Sequence, residues 1–148
     1  METLRALPNQ LEWEKTCHRA ITSDAIWKLD AYRASMFLLH LSNQDCSVLR
    51  RSRCYDDLTA QLIDASGSVS ANLAEGYSRA TRVDRVRFLG YSLGSVRECI
   101  TWYSGAEPIL TRPVVDNRLD LIMRVRFLLL GLISSVRRNG DGRSPFQW

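Results

Sequence analysis

The chain has 148 residues, of which 45% are apolar and 24% charged, the size and composition of one globular domain with a single core. No apolar run approaches the ~18 residues that a membrane span requires. The opening residues include Glu2, Arg5, Glu12 and Glu14 but no apolar signal segment, so the expected location is the cytoplasm. The net charge of +4 comes from basic residues that are nearly all arginine, Lys15 and Lys28 being the only lysines. A guanidinium fork suits phosphate and carboxylate, yet codon bias produces the same composition, so charge alone leaves both readings open.

Between Gln10 and Glu107 there is no proline, and the apolar spacing over that stretch is helical. Residues 1–23 read as an N-terminal arm or short helix, with some helical pattern from Leu11 to Ile21. A first long helix is predicted over Asp24 to Leu41. Asp24 caps it, and Trp27, Ala31, Ala34, Leu38 and Leu41 share one face. A polar linker, Asn43 to Arg53, carries Arg50, Arg51 and Arg53. The second helix is predicted over Tyr55 to Glu75, with Leu58, Leu62, Ala65, Val69 and Leu73 inward and Gly76 as its left-handed C-terminal residue.

A third helix is expected from Thr81, where Thr81 and Asp84 form a capping box. Its expected face is Phe88, Tyr91, Ser95, Glu98 and Trp102, and Pro108 is expected to stop it. The fourth helix follows Pro113 on Val115, Leu119, Ile122, Val125, Leu129, Leu132 and Val136. Leu121, Leu128 and Leu130 widen its apolar face beyond one stripe, so the helix is either central or also covered by another subunit, and an oligomer is expected. Arg137 and Arg138 end it, and 140–148 read as a flexible polar tail. The expected fold is therefore all-α, an antiparallel up-down four-helix bundle over 24–139.

Small residues between Ser66 and Arg79, Ser68 among them, are expected to meet Gly90 and Gly94 in a close helix seam. Asn72 and Glu75 lie near the end of the second helix. A carboxylate at that end needs a cation, and Arg79, Arg82, Arg85 and Arg87 are the candidates. Arg79, Arg82 and Arg85, with Arg50, Arg51 and Arg53 as a second group, are the candidate nucleic-acid contacts. Arg124, Arg126, Arg137 and Arg138 extend the surface. A solvated charged face is the competing reading. Cys17, Cys46, Cys54 and Cys99 show no C-x-x-C pair, and Cys17 and His18 diverge on a helix. No metal, cofactor or catalytic group is therefore expected. Arg33 and His40 weakly match the spacing of helical-bundle ribonucleases of the HEPN type, though His40 reads more simply as a helix-end residue.

The run Gly67-Ser-Val-Ser-Ala-Asn-Leu-Ala-Glu-Gly-Tyr-Ser-Arg79, followed by Asp84-Arg-Val-Arg-Phe-Leu-Gly-Tyr-Ser-Leu-Gly-Ser-Val-Arg-Glu98, resembles the bacterial four-helix bundle protein family. Its members are encoded in intervening sequences of large-subunit ribosomal RNA genes. The accessory variability proteins of diversity-generating retroelements are similar. Leu73 stands where the family pattern has Ile, and Ser92 where it has Ala. The resemblance implies a cyclic homo-oligomer, a pentamer, with a basic surface. In the retroelement branch it also implies structured RNA and a reverse transcriptase as partners. The expected function is a non-enzymatic RNA-binding assembly protein. A protein-interaction scaffold without nucleic acid and, last, a ribonuclease are the alternatives.

Overall fold

The computed structural model describes residues 8–139; the expected tail over 140–148 lies outside the described residues. Among these the chain is all-α. Two short helices come first, α1 (Gln10–Glu14) and α2 (Arg19–Thr22), then a 3-10 turn over Ala25–Lys28. Four long helices follow: α3 (Asp30–Leu49), α4 (Asp56–Ser78), α5 (Arg82–Leu110) and α6 (Arg112–Arg138). Residues 79–81 alone join α4 to α5, and Thr111 alone joins α5 to α6, so each pair must run antiparallel. α4 packs on α3 and α5, and α6 packs on α5 and α3.

The boundaries differ from expectation in four places. Asp24 caps the 3-10 turn, its Oδ1 accepting from the Ile26 amide at 3.0 Å, and the long helix starts only at Asp30. That helix then consumes most of the expected linker, because Ser42, Asp45, Cys46 and Leu49 are all buried and continue its inward stripe. His40 is accordingly mid-helix, and not at a helix end. Pro108 lies inside α5, which continues to Leu110. The bend to α6 is made by Thr111 at φ 70°, a left-handed position that a β-branched residue rarely occupies.

Gly76 does not terminate α4, which runs two residues further, and no described glycine has positive φ. Its role is size. A Cβ at Gly76 would lie 3.2 Å from the Phe88 Cβ and 3.3 Å from the Arg85 carbonyl oxygen. The close α4–α5 seam is real, but its residues on the α5 side are not Gly90 and Gly94. A Cβ at either of those glycines meets nothing within 4 Å. Ser92 takes the place expected for them, its hydroxyl donating to the Val69 carbonyl at 2.7 Å. The inward stripe of α5 is Leu89, Ser92, Val96, Cys99, Tyr103 and Ala106, all 0% exposed. Tyr91 and Glu98, expected inside, are exposed. The aromatic residues suggested a face roughly one position off, because the true stripe includes serine and cysteine.

The arm is held by tilted aromatic contacts and by polar bonds. The Trp13 ring centroid lies 5.4 Å from Phe37 and 5.6 Å from His40. Glu14 pairs with Arg33 at 3.4 Å, and Arg124 Nη1 donates to the Gln10 side-chain oxygen at 3.0 Å. These contacts place α1 beside both α3 and α6.

Candidate nucleic-acid interface

The α4–α5 corner is built around two arginines with different tasks. Arg79 is the residue at which α4 ends. Its guanidinium pairs with Glu75 and lies 4.7 Å from the Phe88 ring centroid, a cation–π contact. Glu75 thereby has the cation that its place near a helix C-terminus demands. Arg85 is 7% exposed and its Nε donates to the Arg79 carbonyl at 2.6 Å. That bond satisfies a carbonyl left over at the end of α4. Arg85 and Arg82 therefore do not project together: Arg85 is turned inward as a clamp on the corner, and only Arg82 faces solvent. Arg85 is removed from the set of free phosphate contacts.

The α5 N-terminus closes as its sequence predicts. Thr81 Oγ1 accepts from the Asp84 amide at 3.1 Å, and the hydroxyl donates to the Asp84 carboxylate at 2.9 Å. Asp84 also pairs with Arg87 at 2.8 Å, so Arg87 is partly neutralised. Asn72 makes a local bond, donating to the Ser68 carbonyl at 2.9 Å; both side chains are half-buried and neither shapes the basic surface.

Because α6 returns to the same end, its last turn lies beside the first turn of α5. Arg82, Val83, Val86 and Arg137 line one groove. Arg82, Arg137 and Arg138 are exposed and have no carboxylate partner among the described residues. Val83, 74% exposed, lines the same groove. Arg137 and Arg138 also complement the negative end of the α6 dipole.

The second arginine group is elsewhere. Arg50 and Arg51 follow the C-terminus of α3, and Arg53 opens the turn before α4. All three are exposed. They lie at the opposite end from Arg82 and Arg137, separated by the 23 residues of α4, about 35 Å at 1.5 Å per residue. The two groups form two basic ends and not one continuous patch.

A buried polar cluster lies near the Arg50 end. Arg118 Nε and Nη2 grip the two oxygens of Asp45 at 2.8 and 3.0 Å. The Tyr103 hydroxyl donates to Asp45 Oδ2 at 2.8 Å and lies 3.0 Å from Ser42 Oγ. Asp45 and Arg118 are 5% and 4% exposed. Burial first, and the Asp45 charge second, push the Tyr103 hydroxyl well above its usual range. The cluster ties α3, α5 and α6 together. Every bond described for it runs within the fold. Sequence reasoning missed it, although Asp45, Tyr103 and Arg118 each continue the three-and-four spacing of an otherwise apolar stripe.

Arg33 and His40 are each engaged by other residues. Arg33 donates to the Trp27 carbonyl at 2.8 Å and pairs with Asp30. The His40 ring is stacked on Phe37, tilted against Trp13 and bonded to Gln44 at 3.1 Å, and burial lowers its pKa. Burial likewise pushes the Cys46 and Cys99 thiols up to about 11 and about 12. No group of three or more His, Cys, Asp or Glu among the described residues is arranged to hold a metal ion.

A family model described as 23S rRNA-intervening sequence protein matches residues 28–109, more than half of the chain. The chain belongs to that family. Among solved structures it is similar to a protein of unknown function from the S23 ribosomal protein family of Bacteroides thetaiotaomicron VPI-5482. The identity is 17% and the TM-score 0.66, over 70% of this chain and 97% of that one, a likeness of fold. No curated protein matches the chain. The match to the 23S rRNA-intervening sequence proteins covers the α4–α5 corner with Arg79 and Arg82. It stops before α6, which supplies Arg137. No helix among the described residues is long and apolar enough to cross a membrane.

Proposed function

We propose that the protein is a non-enzymatic RNA-binding assembly factor, built as an up-down four-helix bundle that associates with copies of itself. The observation that carries this reading is the groove that Arg82 and Arg137 line together with the exposed Val83, neither arginine having a carboxylate partner among the described residues. Arginines committed to the fold, such as Arg85 and Arg118, have acceptors within the chain. Arg82, Arg137 and Arg138 at one end and Arg50, Arg51 and Arg53 at the other have no carboxylate partner among the described residues, which is the state expected of groups whose partner is an external phosphate. The description of the matched family, which names 23S rRNA, supports RNA as the polyanion. It favours the ribosomal branch over the retroelement branch, so the reading requires no reverse transcriptase.

Self-association fits the same picture. In a cyclic assembly whose axis runs along the helices, Arg82, Arg137 and Arg138 are repeated around one end. Arg50, Arg51 and Arg53 are repeated around the other. Individually weak phosphate contacts then add through effective concentration. Binding of this kind releases counterions and weakens steeply with salt. It also shows little sequence preference, because phosphate contacts carry no base information. The test is a filter-binding titration of structured RNA at two salt concentrations, on the parent and on Arg82→Glu/Arg137→Glu. Weaker binding by the variant, with its helical spectrum unchanged, is the expected result. Absence of binding by the parent at low salt removes RNA from the reading and leaves a protein scaffold.

A further inference from the structure

The outer face of α6 is apolar where a solvated helix would be polar. Met123, Phe127 and Leu130, at helical spacing, are 48%, 76% and 38% exposed. A single exposed apolar side chain would need no explanation, but three together on one helix form an apolar ridge of the kind that marks an interaction surface. The outer face of α5 has the opposite relief. Gly90 and Gly94 leave its backbone uncovered, with open space where each Cβ would be.

The two features lie at the same height. Tyr103 of α5 and Arg118 of α6 meet on one oxygen of Asp45, each at 2.8 Å, and so mark a common level. Both helices rise at the same rate per residue in opposite directions. Nine residues from that level, α5 has Gly94 and α6 has Phe127; five residues from it, α5 has Glu98 and α6 has Met123, next to Arg124. Glu98 is exposed with no ion pair among the described residues, and Arg124 is engaged only by the neutral Gln10 side chain. Rotation about an axis parallel to the helices preserves height. It therefore lets ridge meet notch and cation meet carboxylate in one and the same arrangement. A dyad across the helices reverses heights and cannot in general bring both matches together.

We infer that the outer face of the α5–α6 hairpin is an interface between copies of this chain. In it Phe127 seats against Gly94 of the partner subunit at the same level, and Arg124 reaches Glu98 of the partner subunit. This rests on the self-association proposed above and names the surface that performs it. Ridge-into-groove packing supplies the fit, and the charge pair fixes the register.

The experiment exchanges the two shapes and reads mass by light scattering, with circular dichroism reporting the fold. The parent is expected to be an oligomer. Phe127→Asp, and Gly94→Phe, which fills the notch, should each fall to the single-chain mass with the helical spectrum retained. The double variant Gly94→Phe/Phe127→Ala carries the bulge on the other helix and should regain the oligomer. A parent that is monomeric at micromolar concentration overturns self-association itself. A parent oligomer that survives Phe127→Asp overturns only the surface named here. Failure of the double variant to recover, after both single variants have dissociated, overturns the pairing of Phe127 with Gly94.

Discussion

Arg118 and Arg82 are the same side chain in opposite circumstances. Arg118 is sealed between three helices, where Asp45 takes two of its donors and Tyr103 shares the same carboxylate. Arg82 stands at the far end of α5 and lines a groove with Arg137, with no acid to answer either among the described residues. Charge and residue type are equal, so the difference lies in the partner that the fold provides. An arginine with a buried, fully bonded acid holds the fold together. One left unpaired at an exposed end is free to hold something else.

The sharpest way to break this contrast is to unpair the buried arginine. Asp45→Ala leaves Arg118 charged and without its acid in the core, which should cost about 3–5 kcal/mol in urea unfolding. Asp45→Leu/Arg118→Met removes both charges and should recover most of the loss, since a well-packed apolar pair often replaces a buried ion pair without penalty. If Asp45→Ala unfolds like the parent, the cluster does not hold α3, α5 and α6 together.

The same contrast divides the glycines. Gly76→Leu forces a side chain against the Phe88 Cβ and the Arg85 carbonyl oxygen, both within 3.3 Å of where its Cβ would stand. Overpacking of this kind costs about 1–3 kcal/mol. Gly94→Leu enters open space, so the melting of the single chain should hold steady or rise slightly with helix propensity. A strong loss of chain stability in Gly94→Leu would return it to an internal seam.

These two glycines also show what was legible in the sequence. The helical class, the Thr81 cap and the inward face of α4 follow from spacing and capping chemistry, as does the need of Glu75 for an arginine, with Arg79 one of four candidates; on α6 the buried stripe takes Arg118 and Ile133 where Leu119 and Leu132 were expected. Gly76 was readable as a necessary glycine, but its reason, the approach of α5, is a tertiary fact. Gly90 and Gly94 are spaced like an internal seam, and only the packing shows that they face outward. The face of α5 was misread because Tyr91 looks more like core than Ser92 does. The hydroxyl of Ser92 is acceptable inside only because the Val69 carbonyl accepts from it. Asp45 and Arg118, far apart in sequence, are intelligible as core residues only once they are seen to meet. At the basic end, Arg82 and Arg137 were named separately, and the return of α6 makes them neighbours.

A smaller effect concerns alkaline pH. Cys46 and Cys99 are held protonated, their thiols pushed up to about 11 and about 12 by burial, and the Tyr103 hydroxyl is raised as well. A folded-state pKa above the unfolded one favours the native fold at low pH. That contribution is complete below the unfolded thiol value of about 8.5 and is lost as pH rises toward the folded values. Stability should therefore decline from about pH 9 upward, and Cys99→Ala should make the decline shallower. An unchanged slope in that variant would show that the thiol is not protected by the core.

The measurement that bears most directly on the central claim compares two variants for RNA binding and for melting. Arg82→Glu/Arg137→Glu should melt like the parent and lose affinity for structured RNA across all sequences, with a shallower dependence on salt. Arg118→Ala should melt far lower, yet where it remains folded it should keep the parent's affinity. Equal RNA affinity in the parent and the Arg82→Glu/Arg137→Glu variant at low salt would contradict the account, because the unpaired arginines would then not be the surface that meets RNA.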